Sequence, residues 1–108
     1  MPQTVVDIEG VVLDEELTVT FAELGQLCGS STETLARLID EGVLQPRGSG
    51  HEGWCFSGHE IGRARRALRL QRDLELNDAG VALALELLDQ IEVLRARLRR
   101  LERIAGGG

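Results

Sequence analysis

Four side chains have the chemistry to hold a metal or attack a carbonyl: Cys28, His51, Cys55 and His59. Thiolates and imidazoles are zinc's usual donors, and a cysteine beside a histidine is also a nucleophile beside its base. The spacing argues against both uses. Cys55 and His59 are four apart, but Cys28 and His51 have no partner at close ligand spacing, and no Cys-x-x-Cys occurs. His51 lies in the glycine-rich stretch Gly48–Gly53 and His59 falls in a first helical turn, neither with an evident partner. No phosphate-binding loop and no nucleophile–base pair stands out. The chain reads as a non-enzyme with no metal and no cofactor. Without a secretory signal pattern its two cysteines read as free thiols. Its longest apolar run, Val81–Leu85, is too short to span a bilayer, so the expected setting is soluble and cytoplasmic.

Charge says more. All 12 basic residues are arginine, and the net charge is −6. Residues 1–57 carry ten acids against Arg37 and Arg47, a net of −8, whereas residues 58–108 carry eight acids and ten arginines, a net of +2. Affinity for nucleic acid comes largely from neutralised phosphates, so an acidic front half disfavours direct DNA binding and favours a basic protein surface.

The elements that must position these charges follow from local patterns. Residues 1–17 form an acidic leader in which Val5–Ile8 and Val11–Leu13 read as short strands turned at Gly10, and Leu17–Thr20 reads as extended. Three capping boxes are expected, Thr20 with Glu23, Ser30 with Glu33 and Ser57 with Glu60, each before an apolar helical pattern. The first opens a helix over Phe21–Cys28 that points Phe21, Leu24 and Leu27 or Cys28 inward and stops at Gly29. The second opens a helix over Ser31–Glu41 with Leu35, Leu38 and Ile39 inward, left through Gly42. The tight turn between them makes a helix-turn-helix. Val43–Arg47 and Trp54–Phe56, joined by a glycine-rich tip, read as a wing whose Trp54 and Phe56 share one face and close the core. A third helix over Gly58–Glu75 turns Ile61, Ala64, Leu68 and either Ala67 or Leu74 inward and Arg63, Arg65, Arg66, Arg69 and Arg72 outward, as a solvated face or a dock for the leader.

Asn77 caps a last helix reaching Ile104, about 40 Å long. Its first half is broadly apolar. Its second narrows to Leu87, Ile91, Leu94, Leu98 and Leu101, spaced four, three, four, three, the pattern of a coiled coil. With Ile91 and Leu98 at a, the others fall at d. The expectation is a homodimer through these five side chains. The domains are thus an acidic leader over 1–17, a winged helix-turn-helix over 18–76, a long packing and dimerisation helix over 77–105, and a flexible tail over 106–108.

This order of elements resembles the MerR superfamily, and Thr34-Leu35 followed by Gly42-Val43-Leu44-Gln45-Pro46 is similar to that group's recognition-helix exit. Within it, the stretch from Leu17 to Ile104 resembles the CbpM chaperone-modulator family. The matching residues are Val19-Thr20-Phe21, Gly42-Val43 with Pro46-Arg47, and Trp54-x-Phe56. They continue through Arg66-x-x-Arg69-Leu70-x-x-Asp73-Leu74, then Gly80–Leu85 and Leu88-Asp89-x-Ile91. The resemblance implies a mainly α fold, MerR-like winged helix-turn-helix followed by a coiled-coil helix. It also implies a protein that binds the J-domain of a CbpA-like, DnaJ-related co-chaperone, inhibiting its work with Hsp70 and its binding to DNA. The J-domain face that engages Hsp70 is positively charged, so the expected contacts are acids: Glu33, Asp40 and Glu41 on the second helix, and Glu86 and Asp89 on the last. Where ordinary MerR regulators carry an arginine, two aromatics and a glutamate in the second helix, this chain has Ala36, Arg37, Leu38 and Ile39. The alternative is a dimeric DNA-binding regulator reading an operator through Ser31, Thr32, Arg37 and Arg47.

Overall fold

Side chains that repeat at helical spacing dominate this chain, and the computed structural model is accordingly mainly α. It describes Thr4–Val6, Val12–Asp14 and residues 17–106; Gly10, the leader acids Asp7 and Glu9, and the last two glycines lie outside the described residues. Strands β1 (Thr4–Val6) and β2 (Val12–Asp14) pair antiparallel, with Val5 opposite Leu13. The pair lies against the helix over Gly58–Leu74, where docking of the leader was one expectation.

Strand β3 (Thr18–Thr20) runs into α1 (Phe21–Cys28). The Thr20 hydroxyl accepts the Glu23 N–H at 3.1 Å, and Glu23 accepts the Thr20 N–H at 2.9 Å, the full capping box. That backbone bond holds the Glu23 carboxyl below its ordinary range. Gly29, at φ 62°, ends the helix in a conformation that a Cβ would strain. The cap of α2 (Thr32–Asp40) differs from expectation: Ser31, not Ser30, accepts the Thr34 N–H, at 3.2 Å. The turn through Gly29 lets Ser30 N–H bond back to the Gly25 carbonyl, so the chain turns outward one residue later. The box at Ser57 is half formed. Its hydroxyl accepts the Glu60 N–H, but the Glu60 carboxylate accepts the Gln45 N–H at 3.2 Å instead of reaching back.

The wing is tighter than a plain hairpin. Arg47 and Cys55 bridge, and Gly50–Gly53 winds into a single turn, α3. At Gly48, φ 94°, an added Cβ would collide with the Gly53 carbonyl. The returning strand β4 (Cys55–Ser57) takes its ladder from β3, Val19 opposite Phe56. Helices α4 (Gly58–Leu74) and α5 (Asp78–Ala105) complete the order. Glu75, at φ 53°, ends α4, and the Asn77 side chain accepts the Gly80 N–H at 2.7 Å to open α5.

The core gathers Leu24, Leu35, Leu38, Leu44, Phe56, Ile61, Ala64, Ala67, Val81 and Leu85, all within 1% of full burial. Every helix of eight residues or more contributes, so the helix-turn-helix, α4 and the first half of α5 form one packed body. Trp54 and Phe56 both contact Phe21, at 5.3 and 5.9 Å between centroids, and close the core as expected. Leu27 is exposed and Cys28 faces inward in its place. Arg63, expected outward, is drawn in: it lies one turn before buried Ala67 and its side chain is only 20% exposed.

Candidate functional site

Where α2 ends, its last free carbonyls and the Glu41 carboxylate stand at the negative end of a helix dipole. Gly42, at φ 80°, turns the chain so that Val43 N–H bonds the Leu38 carbonyl at 2.9 Å. This exit faces the first half of α5 across an open groove. Glu41, Val43 and Gln45 form one wall, Ala82, Leu83, Glu86 and Asp89 the other, and Arg63 lies between them.

The groove brings together three of the five acids expected to meet a partner. Glu41, Glu86 and Asp89 line it. Asp40 is exposed just behind it and is not among the lining residues. Glu33 is in the first turn of α2, about 12 Å along the helix from Glu41. Among the described residues, Glu41 and Glu86 have no ion-pair partner. Asp89 has one: its Oδ1 accepts from Arg63 Nη1 at 3.0 Å, while Arg63 Nε donates to the Val43 carbonyl at 2.7 Å. Among the other lining residues, Arg63 and Leu83 face the groove in ways that sequence reasoning missed. The signal for Arg63 was its place four residues before Ala67, on the edge of the buried stripe.

The five side chains of the expected dimer seam remain open. Leu87, Ile91, Leu94, Leu98 and Leu101 are 41% to 61% exposed in the single chain. Leu83, on the groove wall, stands one turn before Leu87 and is likewise exposed, so groove and seam adjoin.

Two of the four residues considered for reading DNA, Ser31 and Arg37, are engaged within the fold, while Thr32 and Arg47 are exposed. Ser31 caps α2, and Arg37 Nε pairs with Asp78 at 3.1 Å. The outer arginines of α4 are partly committed too: Arg66 reaches Glu92 at 3.7 Å, and Arg69 and Arg72 reach Asp73.

The side chains that opened the chemical question do not converge. Among the described residues no group of three or more His, Cys, Asp or Glu sits together to hold a metal. Cys28 and Cys55 are free. Burial pushes the Cys28 thiol up to about 11, against the pull of Arg65, so at neutral pH it is protonated and a poor nucleophile. His51 stacks on Trp54 at 4.4 Å between centroids and serves the wing tip. Among the described residues, no helix is long and apolar enough to cross a membrane.

Comparison with known proteins agrees with this fold. Residues 19–103 match the family model described as MerR HTH family regulatory protein. The chain is 36% identical over 96 residues to the chaperone modulatory protein CbpM of Coxiella burnetii (strain Dugway 5J108-111), covering 89% of this chain and 91% of that one. It is 36% identical over 76 residues to the CbpM of Pseudomonas putida (strain W619), covering 70% and 75%. It is 34% identical over the same length to that of Pseudomonas entomophila (strain L48). These relatives are named as chaperone modulators and the family model as regulators, none as an enzyme.

Proposed function

The chain belongs to the CbpM family of chaperone modulatory proteins, within the MerR-like helix-turn-helix group, and on that premise we propose that it binds the J-domain of a CbpA-like co-chaperone and blocks it from Hsp70 and from DNA. The observation that carries this reading is the groove. It sets Glu41 and Glu86, both without an ion-pair partner among the described residues, on facing walls beside Asp89. Among the described residues the one cation lining it, Arg63, is already bonded at two points. A basic J-domain face would find charge complementarity there, and occupancy of that face would exclude Hsp70 sterically. The protein acts as a homodimer through the α5 seam and binds DNA weakly, because Ser31 and Arg37 serve the fold.

Titration calorimetry of the purified J-domain against the full-length protein tests this at two salt concentrations. Wild type binds, and binding weakens as salt rises, because exposed charges are screened over about 8 to 10 Å near physiological ionic strength. Reversing Glu41 and Glu86 to arginine weakens binding more than reversing Glu33 and Asp40. Absence of any heat with the cognate J-domain ends the proposal. A defined operator bound at nanomolar affinity would put the DNA-regulator reading in its place.

A further inference from the structure

Among the described residues, one cation stands among the acids of the groove, and its bonding is unlike that of Arg66, Arg69 and Arg72 on the same helix. Arg63 is half-buried and spends two donors of its planar fork on opposite walls: Nε on the Val43 carbonyl at 2.7 Å, Nη1 on Asp89 Oδ1 at 3.0 Å. The same Val43 is fixed to α2 by its own N–H on the Leu38 carbonyl. A continuous path of hydrogen bonds therefore runs from α2 through Val43, Arg63 and Asp89 into α5. A guanidinium is suited to this because its donors are rigidly splayed, so two bonds made together fix distance as well as direction.

We infer that Arg63 is the positioning residue of the groove and that Asp89 acts through it, leaving Glu41 and Glu86 to meet the cationic side chains of the partner directly. This rests on the reading of the groove as the partner-binding surface. Arg63 sets the separation of the walls and cancels the charge of Asp89. The acids left without a counter-charge are Glu41 on the α2 side and Glu86 on the α5 side. Leu83 stands next to Glu86 on that wall, more than half exposed. It offers apolar surface to the aliphatic stem of a lysine or arginine whose head reaches a carboxylate. The partner surface that fits bears two long basic side chains, not a single point charge.

The test is a double-mutant cycle in the full-length protein, read by calorimetry with the J-domain, beside an NMR measurement of Arg63 Nε–H exchange without partner. Arg63→Met and Asp89→Asn each weaken binding about tenfold, the scale of a lost charge-assisted hydrogen bond. Together they weaken it no further than Arg63→Met alone, because one removes the function of the other. Arg63→Lys does not restore binding, since one ammonium cannot span both walls. Glu86→Gln costs a further factor on top of any of these and lowers the salt dependence. Asp89→Asn keeps the Val43 bond, so it reports even if Arg63→Met folds poorly. In the free protein the Arg63 Nε–H exchanges more slowly than those of exposed Arg95 and Arg99, and faster in Asp89→Asn. Full additivity of the two substitutions, or wild-type affinity in Asp89→Asn, overturns the inference and leaves the partner reading intact. An unprotected Arg63 Nε–H overturns it without reference to any partner. A wild type that ignores the J-domain, yet keeps a protected, Asp89-sensitive Nε–H, ends the partner reading while Arg63 still sets the walls.

Discussion

The two halves of α5 are one helix with opposite surroundings. Over residues 78–92 it buries Val81 and Leu85 completely and is tied to the body by Arg37–Asp78, Arg63–Asp89 and Arg66–Glu92. That half carries four acids and no arginine. Residues 93–105 are exposed throughout and carry five arginines against one acid, while still presenting Leu94, Leu98, Leu101 and Ile104. Helices owe most of their stability to the packing of an apolar face, since short helices in water are marginal on propensity alone. The first half has that packing within its own chain. The second has the apolar face without the cover, which is why a second copy is the proposed occupant of the seam.

The largest expected effect tests that contrast directly. Wild type sediments at twice the chain mass at micromolar concentration, and Leu94→Glu with Leu98→Glu gives monomers, because two carboxylates per chain would be buried unpaired in the seam. The helical signal of the body survives, since neither residue contributes to the core. A wild type that stays monomeric over the same range breaks the comparison: the second half would then need no cover.

Next in size is a change in the half that the body owns. Leu85→Ala removes a side chain that is 1% exposed, and is expected to cost about 2 to 5 kcal/mol in denaturant unfolding, with its value set by how far the site collapses. Leu101→Ala, in the monomeric Leu94→Glu, Leu98→Glu background, changes stability by no more than about 0.5 kcal/mol. Equal costs at the two positions would mean that the halves differ less than their burial says.

Local signals were legible in the sequence and distant ones were not. The extents of α1, α4 and α5, the stops at Gly29 and Gly42 and the caps at Thr20, Ser57 and Asn77 all follow from residues a few positions apart. The cap of α2 was misplaced by one because Ser30 and Ser31 both have a hydroxyl, and the choice was made by the Ser30 N–H turning back to Gly25. The reciprocal half of the Ser57 box was lost because Glu60 found the Gln45 N–H, fifteen residues away. Arg63 escaped for the same reason: its partners lie 20 and 26 residues off, and a long cationic side chain at the edge of a stripe can lean either way. Glu33 was grouped with Glu41 by shared helix and charge, whereas nine residues of α2 carry them to opposite ends. Charge and the family resemblance pointed to five acids, and the crossing of α2 and α5 brings Glu41, Glu86 and Asp89 of these to one groove.

The smallest effect is expected at the ion pair that joins α2 to the start of α5. Arg37 is 53% exposed and Asp78 27%, so the pair is well solvated, and exposed pairs contribute about 0.2 to 1 kcal/mol. Asp78 also keeps a hydrogen bond from Gln71 Nε2 at 2.8 Å and lies in the first turn of α5, where a negative charge suits the helix dipole. Its carboxylate therefore stays satisfied when Arg37 is removed. Arg37→Ala should lower unfolding free energy by about 0.5 kcal/mol at low salt, and by nothing measurable in 1 M salt, where screening acts within about 3 Å. The same substitution should leave weak DNA binding unchanged, because a guanidinium held by Asp78 contributes little to a phosphate. A loss of 2 kcal/mol or more would show that charge, not the burial of Val81 and Leu85, fastens the first half of α5. A marked loss of DNA affinity would show that Arg37 leaves Asp78 for phosphate, and the helix-turn-helix would then have kept a reading function that its hydrogen bonds in this structure oppose.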